Sequence, residues 1–285
     1  MHLPRRRHIS PWSNRVLLVA LLLVVALLAP IWLDPVTLGE LRGASPLPTA
    51  APSLEPSGGR PRQTAEPSGA APHPLARDPF TRSVAAGWGA ANFGGRYEAG
   101  GTGSLSVAEG TGWVELGSDS DGSAVLADLD VHNVQLAVSV AAPDVALDDS
   151  VALGLELRVT DGLTYRPTVL FEDDEISVAI NVIVDGQLTR IAGPVELDAE
   201  LLAADRLRMR AQATGSDPTT VRMRVWDEIG SEPPTWDISI IDWTGRLQGR
   251  GSVGLAWTRI APSGADVEVG FDDLAVQTTD AEESE

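Results

Sequence analysis

Cysteine and lysine are absent from this chain of 285 residues, and aromatic residues make up only 5% of it. Without cysteine, the chain has no disulfide, no Cys-ligated metal and no lipid-modified cysteine that could attach it to a membrane. Positive charge is also scarce, because 21 basic residues stand against 40 acidic ones and leave a net charge of -19. Nucleic-acid-binding proteins carry a basic surface, so we expect no nucleic-acid partner.

One long apolar run lies near the N-terminus, at residues 16–33. About 18 apolar residues are close to the shortest helix that spans a bilayer. Ile31, Trp32 and Leu33 stand where a signal-peptide cleavage site needs small side chains. Four arginines precede the run, so residues 1–15 are predicted to be cytoplasmic. The sequence thus predicts an uncleaved single-pass signal anchor in the cell membrane, with a cleaved secretory signal as the alternative; both place the rest of the chain outside the cell.

Residues 34–77 are rich in Pro, Ala and Ser and have few large apolar side chains. Such a sequence cannot bury enough surface to offset the entropy lost on folding, and a Pro-rich chain is semi-extended. We therefore predict a disordered linker here. Residues 279–285 are a short acidic tail.

Residues 78–278 lack a sustained helical period and consist of short runs with the alternation of β-strands. Examples are VALGLELRV, ISVAINVIV and VRMRVW, separated by Gly, Asp and Asn. In the last of these, Val221, Met223 and Val225 are predicted to face a core and Arg222 and Arg224 to face solvent. Many short strands over about 200 residues favour one all-β antiparallel sandwich.

Three stretches of this region resemble the concanavalin A-like (LamG/laminarinase-like) jelly-roll surface domains of actinobacterial and phage proteins. They are DPFTRSVAAGWGAANFGG at the start, PTTVRMRVW with the following EPPTW and GSVGLAW, and VEVGFDDLAV at the end. The resemblance covers nearly all of 78–278 and implies a two-sheet jelly-roll sandwich. It says little about function, because lectins, glycan-binding modules and glucanases share this fold.

Glu196, Asp198 and Glu200 form an E-x-D-x-E string, the pattern with which β-glucanases of the laminarinase type carry their catalytic carboxylates. On a strand the three side chains would share a face, as a retaining glycosidase requires. No aromatic residue lies between Phe171 and Trp226 to stack on a sugar, and Pro194 is awkward in a central strand. The sequence therefore favours solvated loop carboxylates, with a catalytic trio as the alternative.

Two further sets of residues are candidates for binding. Asp78, Asp272 and Asp273 lie in the first and last strands, where the resemblance implies that a structural Ca²⁺ can tie jelly-roll strands together. Trp243 and, after it, Trp113 are the candidates for an exposed ring that stacks on a sugar.

Taken together, the sequence predicts a membrane-anchored extracellular β-sandwich. Its expected role is non-catalytic binding of polysaccharide or another cell-surface ligand. Two alternatives stay open: a retaining glycoside hydrolase that uses the E-x-D-x-E carboxylates, and a protein-binding adhesion or scaffold domain.

Overall fold

The computed structural model describes residues 73–141, 150–172, 174–261 and 266–279. The predicted cytoplasmic segment 1–15, the anchor 16–33 and nearly all of the linker lie outside these residues. Among the residues described, no helix is both long and apolar enough to cross a membrane.

Alternating apolar residues have produced fifteen β-strands, and two short 3-10 helices complete the described secondary structure. In chain order the strands are β1 (Pro74–Asp78), β2 (Tyr97–Gly101), β3 (Ser104–Ala108), β4 (Thr111–Leu116), β5 (Asp121–Val131), β6 (Val134–Ala141), β7 (Ser150–Thr160), β8 (Leu163–Glu172), β9 (Glu175–Val184), β10 (Gln187–Glu196), β11 (Leu207–Thr214), β12 (Thr219–Asp227), β13 (Ile238–Asp242), β14 (Gly251–Ala261) and β15 (Val267–Thr278). The 3-10 helices are Ala199–Ala203 and Gly245–Leu247.

The strands form two antiparallel sheets. The eight-stranded sheet has the order β13-β12-β11-β6-β15-β4-β3, with β1 also paired to β15. The seven-stranded sheet has the order β10-β9-β8-β7-β14-β5-β2. The predicted all-β fold with two antiparallel sheets is confirmed. β1 begins at Pro74, inside the stretch that the sequence analysis assigned to the linker. The strand was missed because five residues are too few to show an alternating pattern.

The core lies between the sheets and follows the alternation. Val221, Met223 and Val225 of β12 are buried, whereas Arg222 and Arg224 are half-buried on the opposite face. The predicted core positions of this strand are therefore confirmed, whereas Arg222 and Arg224, predicted to face solvent, pack against the ring of Trp236 at 4.7 and 4.3 Å.

An aromatic cluster fills one end of the core, with Trp88 at its centre. The Trp88 ring packs edge-on against Phe80, Tyr97, Phe271 and Trp257, with ring centroids 5.3 to 5.9 Å away. Its indole Nε1 donates a hydrogen bond to the backbone carbonyl of β4 at 3.1 Å, which satisfies the only polar group of the side chain. Trp88 thus joins the loop after β1 to strands of both sheets.

A buried polar network joins the sheets elsewhere. Tyr165 of β8 donates a hydrogen bond to Asp242 of β13 at 2.6 Å, and Arg158 of β7 donates to Thr219 of β12 at 2.8 Å. Burial lowers the pKa of the Arg158 guanidinium to about 10 and raises the pKa of the Tyr165 hydroxyl. Since each bond crosses the sandwich, the network fixes how one sheet lies on the other.

Replacing Trp88 by alanine is expected to lower the free energy of unfolding by about 3–5 kcal/mol, because the change removes the centre of the aromatic cluster. The matched control is Trp243→Ala, where the ring is 69% exposed and the expected change is within about 0.5 kcal/mol. Chemical denaturation of the full-length chain in mild detergent measures both. Equal losses in the two variants would contradict the described core.

Candidate functional site

A groove crosses the outer face of the seven-stranded sheet and encloses a cavity of about 160 Å³. Residues from β7, β8, β9, β10 and β14 line it, namely Ala152, Gly154, Arg166, Thr168, Leu170, Asn181, Leu188, Arg190, Ala256, Trp257, Thr258 and Ile260. We call this feature the sheet groove. Small residues on β7 and β14 form its floor, because side chains of ordinary size there would fill the space.

Gly154 is the position where the floor needs a glycine. A Cβ added to Gly154 would lie 2.7 Å from Cγ of Arg166 and 3.4 Å from Cβ of Ala256. A carbon contact of 2.7 Å is far below van der Waals distance. The absence of a side chain at residue 154 therefore lets the Arg166 side chain lie across the sheet.

Four polar side chains lie side by side on adjacent strands, and the last of them, Arg190, lies at the rim of the groove. Arg166 of β8 pairs in register with Asn181 of β9, which pairs in turn with Arg190 of β10. On the other side, Arg166 donates to one carboxylate oxygen of Glu156 through Nε at 3.1 Å and Nη2 at 2.6 Å. The result is a polar row, Glu156–Arg166–Asn181–Arg190, across four strands.

The ion pair in this row is almost out of reach of water, since the Glu156 side chain is 3% exposed and that of Arg166 12%. Burial raises the pKa of the Glu156 carboxyl above its ordinary value, while the Arg166 charge acts in the opposite direction. Because the two charges offset each other, the centre of the groove presents little net charge. Nη1 of Arg166 has no hydrogen-bond partner among the described residues and can donate to a bound molecule.

Asn181 carries the unsatisfied group of the site. Its side chain is 4% exposed, and its Nδ2 donates to the hydroxyl of Thr168 at 3.1 Å. That hydroxyl donates its own proton to the backbone carbonyl of Arg166 at 2.9 Å, so it can only accept from the Asn181 amide. This fixes the amide orientation and leaves Oδ1 buried without a hydrogen-bond partner. Because Oδ1 is itself buried, an ordered water beside it is the kind of donor that would satisfy it.

The E-x-D-x-E string does not lie along one strand. Glu196 is the last residue of β10, and Glu200 lies in the 3-10 helix Ala199–Ala203. Asp198 caps that helix and accepts a hydrogen bond from the backbone N–H of Glu200 at 3.0 Å. All three side chains are exposed. The shared face that a catalytic trio needs is therefore missing from this stretch.

Part of this stretch is ordered more than the sequence predicted. Glu196, predicted to lie in a loop, is the last residue of β10, and Pro194 is tolerated because β10 is an edge strand. Leu197, Leu201 and Leu202 pack against the core, which holds the 3-10 helix in place.

The three aspartates predicted to hold calcium are not gathered. Asp78 is buried and both of its carboxylate oxygens accept from Arg82, at 2.6 and 2.8 Å. Asp272 faces Arg206 at 3.4 Å and accepts from the backbone N–H of Asp273 at 2.6 Å. No group of three or more acidic or histidine side chains in the described part of the chain could hold a metal ion. These residues do not fit the six to eight oxygens of a calcium site, and calcium binding stays a prediction.

The two tryptophans predicted to contact sugar lie far apart. Trp243, 69% exposed, directly follows β13 at one edge of the eight-stranded sheet. The ring of Trp113 is half-buried against Gly270, on β4 near the other edge. Five strand spacings separate β13 from β4, about 24 Å at 4.8 Å per strand. The structure therefore does not bring the two rings together, and neither lines the sheet groove.

Trp243 nevertheless sits on a well-anchored turn. Asp242, just before it, accepts hydrogen bonds from the Thr244 hydroxyl at 2.8 Å and from the Thr244 backbone N–H at 3.1 Å. Ile241 is also exposed, at 57%. Sugar binding at Trp243 stays a prediction.

No family model and no curated protein matches this chain. Among solved structures, the chain is similar to the CBM2 module of the evolved Dit protein of Lactobacillus casei BL23 phage J-1, with a TM-score of 0.50 and 12% identity over 73% of this chain and 97% of that one. The fold is a concanavalin A-like β-sandwich. Weaker likenesses are to the carbohydrate-binding module CBM66 from Bacillus subtilis (TM-score 0.43, 13% identity, 64% and 95% covered) and to a β-1,3-glucanase from Mycobacterium marinum (0.45, 12%, 72% and 98%).

Sequence reasoning missed the sheet groove. Glu156 and Asn181 each interrupt an apolar run, VALGLELRV and ISVAINVIV, and these interruptions were the available signal. A polar residue inside a buried strand destabilises the fold unless it is hydrogen-bonded, ion-paired or part of a functional site. The cross-strand register that joins Glu156 to Arg166, and Arg166 to Asn181, cannot be predicted from any short stretch of sequence.

Replacing Glu156 alone by leucine is expected to cost about 3–5 kcal/mol of unfolding free energy, because the Arg166 charge is left without its partner. The double variant Glu156→Leu/Arg166→Met should recover most of that loss, since no buried charge remains. Urea denaturation of the single and double variants measures the coupling. Losses that simply add would show that the two side chains do not act as a pair.

Proposed function

We propose that this chain is a non-catalytic carbohydrate-binding module, held outside the cell by its N-terminal segment, that binds polysaccharide through the sheet groove. The observation that carries the proposal is the sheet groove itself, in which the polar side chains of Arg166 and Asn181 lie beside the exposed apolar side chains of Leu188 and Ile260. Saccharide hydroxyls donate and accept hydrogen bonds, so they complement these polar side chains.

The apolar part of the groove supports the same class of ligand. Leu188 and Ile260 are exposed by 54% and 43% although they are large and apolar, and both line the groove. Sites for small organic ligands combine a mainly apolar wall with a few polar groups that fix orientation. The C–H faces of a sugar ring can lie against such walls while its hydroxyls meet the polar row.

The non-catalytic part of the proposal is supported by the placement of the acidic string. A retaining glycosidase needs two carboxyl groups about 5–5.5 Å apart at the scissile bond. Here Glu196 ends a strand and Glu200 belongs to an exposed 3-10 helix. Nothing in this arrangement favours the glycosidase interpretation over binding.

The binding prediction concerns Ala152, on the groove floor. The Ala152→Trp substitution should fill the cavity and weaken binding to a polysaccharide that the wild-type chain retains by about tenfold or more, which is about 1.4 kcal/mol. Affinity electrophoresis of the full-length chain in gels that contain β-glucan, mannan, xylan or arabinogalactan measures this.

Two matched controls accompany the experiment. Ser239→Trp places the same side chain at an exposed position of the other sheet, and Glu196→Gln neutralises the string; both should bind like the wild type. Retention on none of the polysaccharides would refute the proposal. Turnover of β-glucan that disappears in Glu196→Gln would show that the chain is an enzyme.

The topology prediction uses the cysteine-free background. In intact cells a membrane-impermeant maleimide should label Ser57→Cys, in the predicted linker, and should leave Ser10→Cys unlabelled until the cells are lysed. The chain should also stay in the membrane fraction after alkaline washing, because an uncleaved anchor spans the bilayer. Release of the labelled chain into the medium would favour a cleaved signal peptide instead.

A further inference from the structure

Resting on the proposed function, we infer that the turn at residues 241–248 carries a second saccharide contact, separate from the sheet groove. In this contact the indole ring of Trp243 stacks on one unit of a neutral polysaccharide. We call the exposed side chains of Ile241 and Trp243, together with the turn that holds them, the tryptophan turn. Two contacts on one domain select a polymer over a short oligosaccharide, because only the polymer can occupy both at once.

Trp243 is the one exposed tryptophan among the residues that the structure describes, with an exposed fraction of 69%. The others in those residues are buried or half-buried, namely Trp88, Trp113, Trp226, Trp236 and Trp257. A tryptophan that packs in a core or an interface removes about 150–250 Å² from water, and Trp243 forgoes most of this. Exposure alone does not mark a site, since single apolar side chains are common on protein surfaces. The second observation is the way in which the turn is held.

Buried side chains hold the backbone on both sides of Trp243. Nε2 of Gln248 donates to the carbonyl of Asp242 at 3.1 Å and to the carbonyl of Thr244 at 3.2 Å. Oε1 of Gln248 accepts from the hydroxyl of Thr219, a buried residue of β12, at 2.6 Å. Asp242 and Gln248 are both buried, so moving the turn would leave their polar groups unpaired away from water. The ring is therefore presented on a backbone that is already ordered, which lowers the entropy cost of binding.

An ion pair joins the tryptophan turn to the hairpin that borders the sheet groove. Arg246, in the 3-10 helix Gly245–Leu247, donates to the two carboxylate oxygens of Asp185 at 2.7 and 2.8 Å. Asp185 lies between β9 and β10, three residues before Leu188 of the groove. Trp243 is likewise three residues before Arg246, and three residues span at most about 11 Å from Cα to Cα. One polysaccharide chain is therefore long enough to reach both the groove and the ring.

The exposed area and the local charge decide the kind of ligand. One tryptophan offers a contact of at most about 250 Å², whereas each partner in a stable protein complex contributes about 800 Å². A second copy of this chain is disfavoured further, because each copy carries a net charge of -19. A sugar ring matches the area of the indole and can lay its C–H face against it. Since Arg246 and Asp185 offset each other's charge, the turn suits a neutral unit.

Replacing Trp243 by alanine should weaken binding by about tenfold or more to a polysaccharide that the wild-type chain retains, because the second contact and its avidity are lost. Trp243→Phe keeps a flat ring and should bind within about threefold of the wild type. Affinity electrophoresis of the full-length chain measures both. The matched control is Ile229→Ala, which removes an apolar side chain that is 94% exposed just after β12 and should leave binding unchanged.

Iodide quenching reports on the ring itself. A saturating amount of the retained polysaccharide should protect part of the wild-type tryptophan fluorescence from iodide. The protection should disappear in Trp243→Phe, in which every other tryptophan is unchanged.

Comparison with Ala152→Trp separates this inference from the proposed function. If only Ala152→Trp weakens binding, or if iodide reaches Trp243 equally with and without polysaccharide, the inference is wrong and the proposed function stands. If only Trp243→Ala weakens binding, the sheet groove is not a contact, and the proposed function fails together with the pairing of two contacts. Retention of the wild-type chain on no polysaccharide would overturn both as well.

Discussion

Successive side chains of a β-strand point to opposite sides of the sheet, and this alternation constrains everything else in the molecule. With two stacked sheets, one set of side chains must fill the space between them. Leu153 and Val221 belong to that set. Function is then confined to the outward set and to the loops. The sheet groove is a place where the outward set contains Gly154, Ala152 and Ala256 beside larger neighbours, so that the alternation leaves a depression.

The same constraint explains how much the sequence could predict. Alternation is local, so strands such as β12 and the all-β class followed from short windows of residues. The polar row was not predictable, because Glu156, Arg166 and Asn181 come from three strands and meet only through cross-strand register. Register depends on turns and on the packing of the whole sheet. The sequence showed that a polar residue interrupted each run, and the structure was needed to show that the interruptions are neighbours.

Short motifs are ambiguous for a related reason. The string at Glu196, Asp198 and Glu200 carries a glycosidase pattern only if one strand contains all three residues. Asp198 instead accepts from the backbone N–H of Glu200, an N-cap interaction that ends the strand and starts a helical turn. The aspartates at 78, 272 and 273 depend on their surroundings in the same way. Asp78 pairs with Arg82, four residues along the chain, and Asp272 pairs with Arg206 from a distant part of the sequence.

The net charge of the chain differs from the local charge at the sheet groove. A net charge of -19 keeps the molecule well solvated and repels acidic polymers at long range. At the groove, however, Glu156 and Arg166 neutralise each other, and the unsatisfied groups are a neutral amide oxygen and one guanidinium nitrogen. The groove is therefore locally close to neutral, although the chain as a whole is strongly acidic.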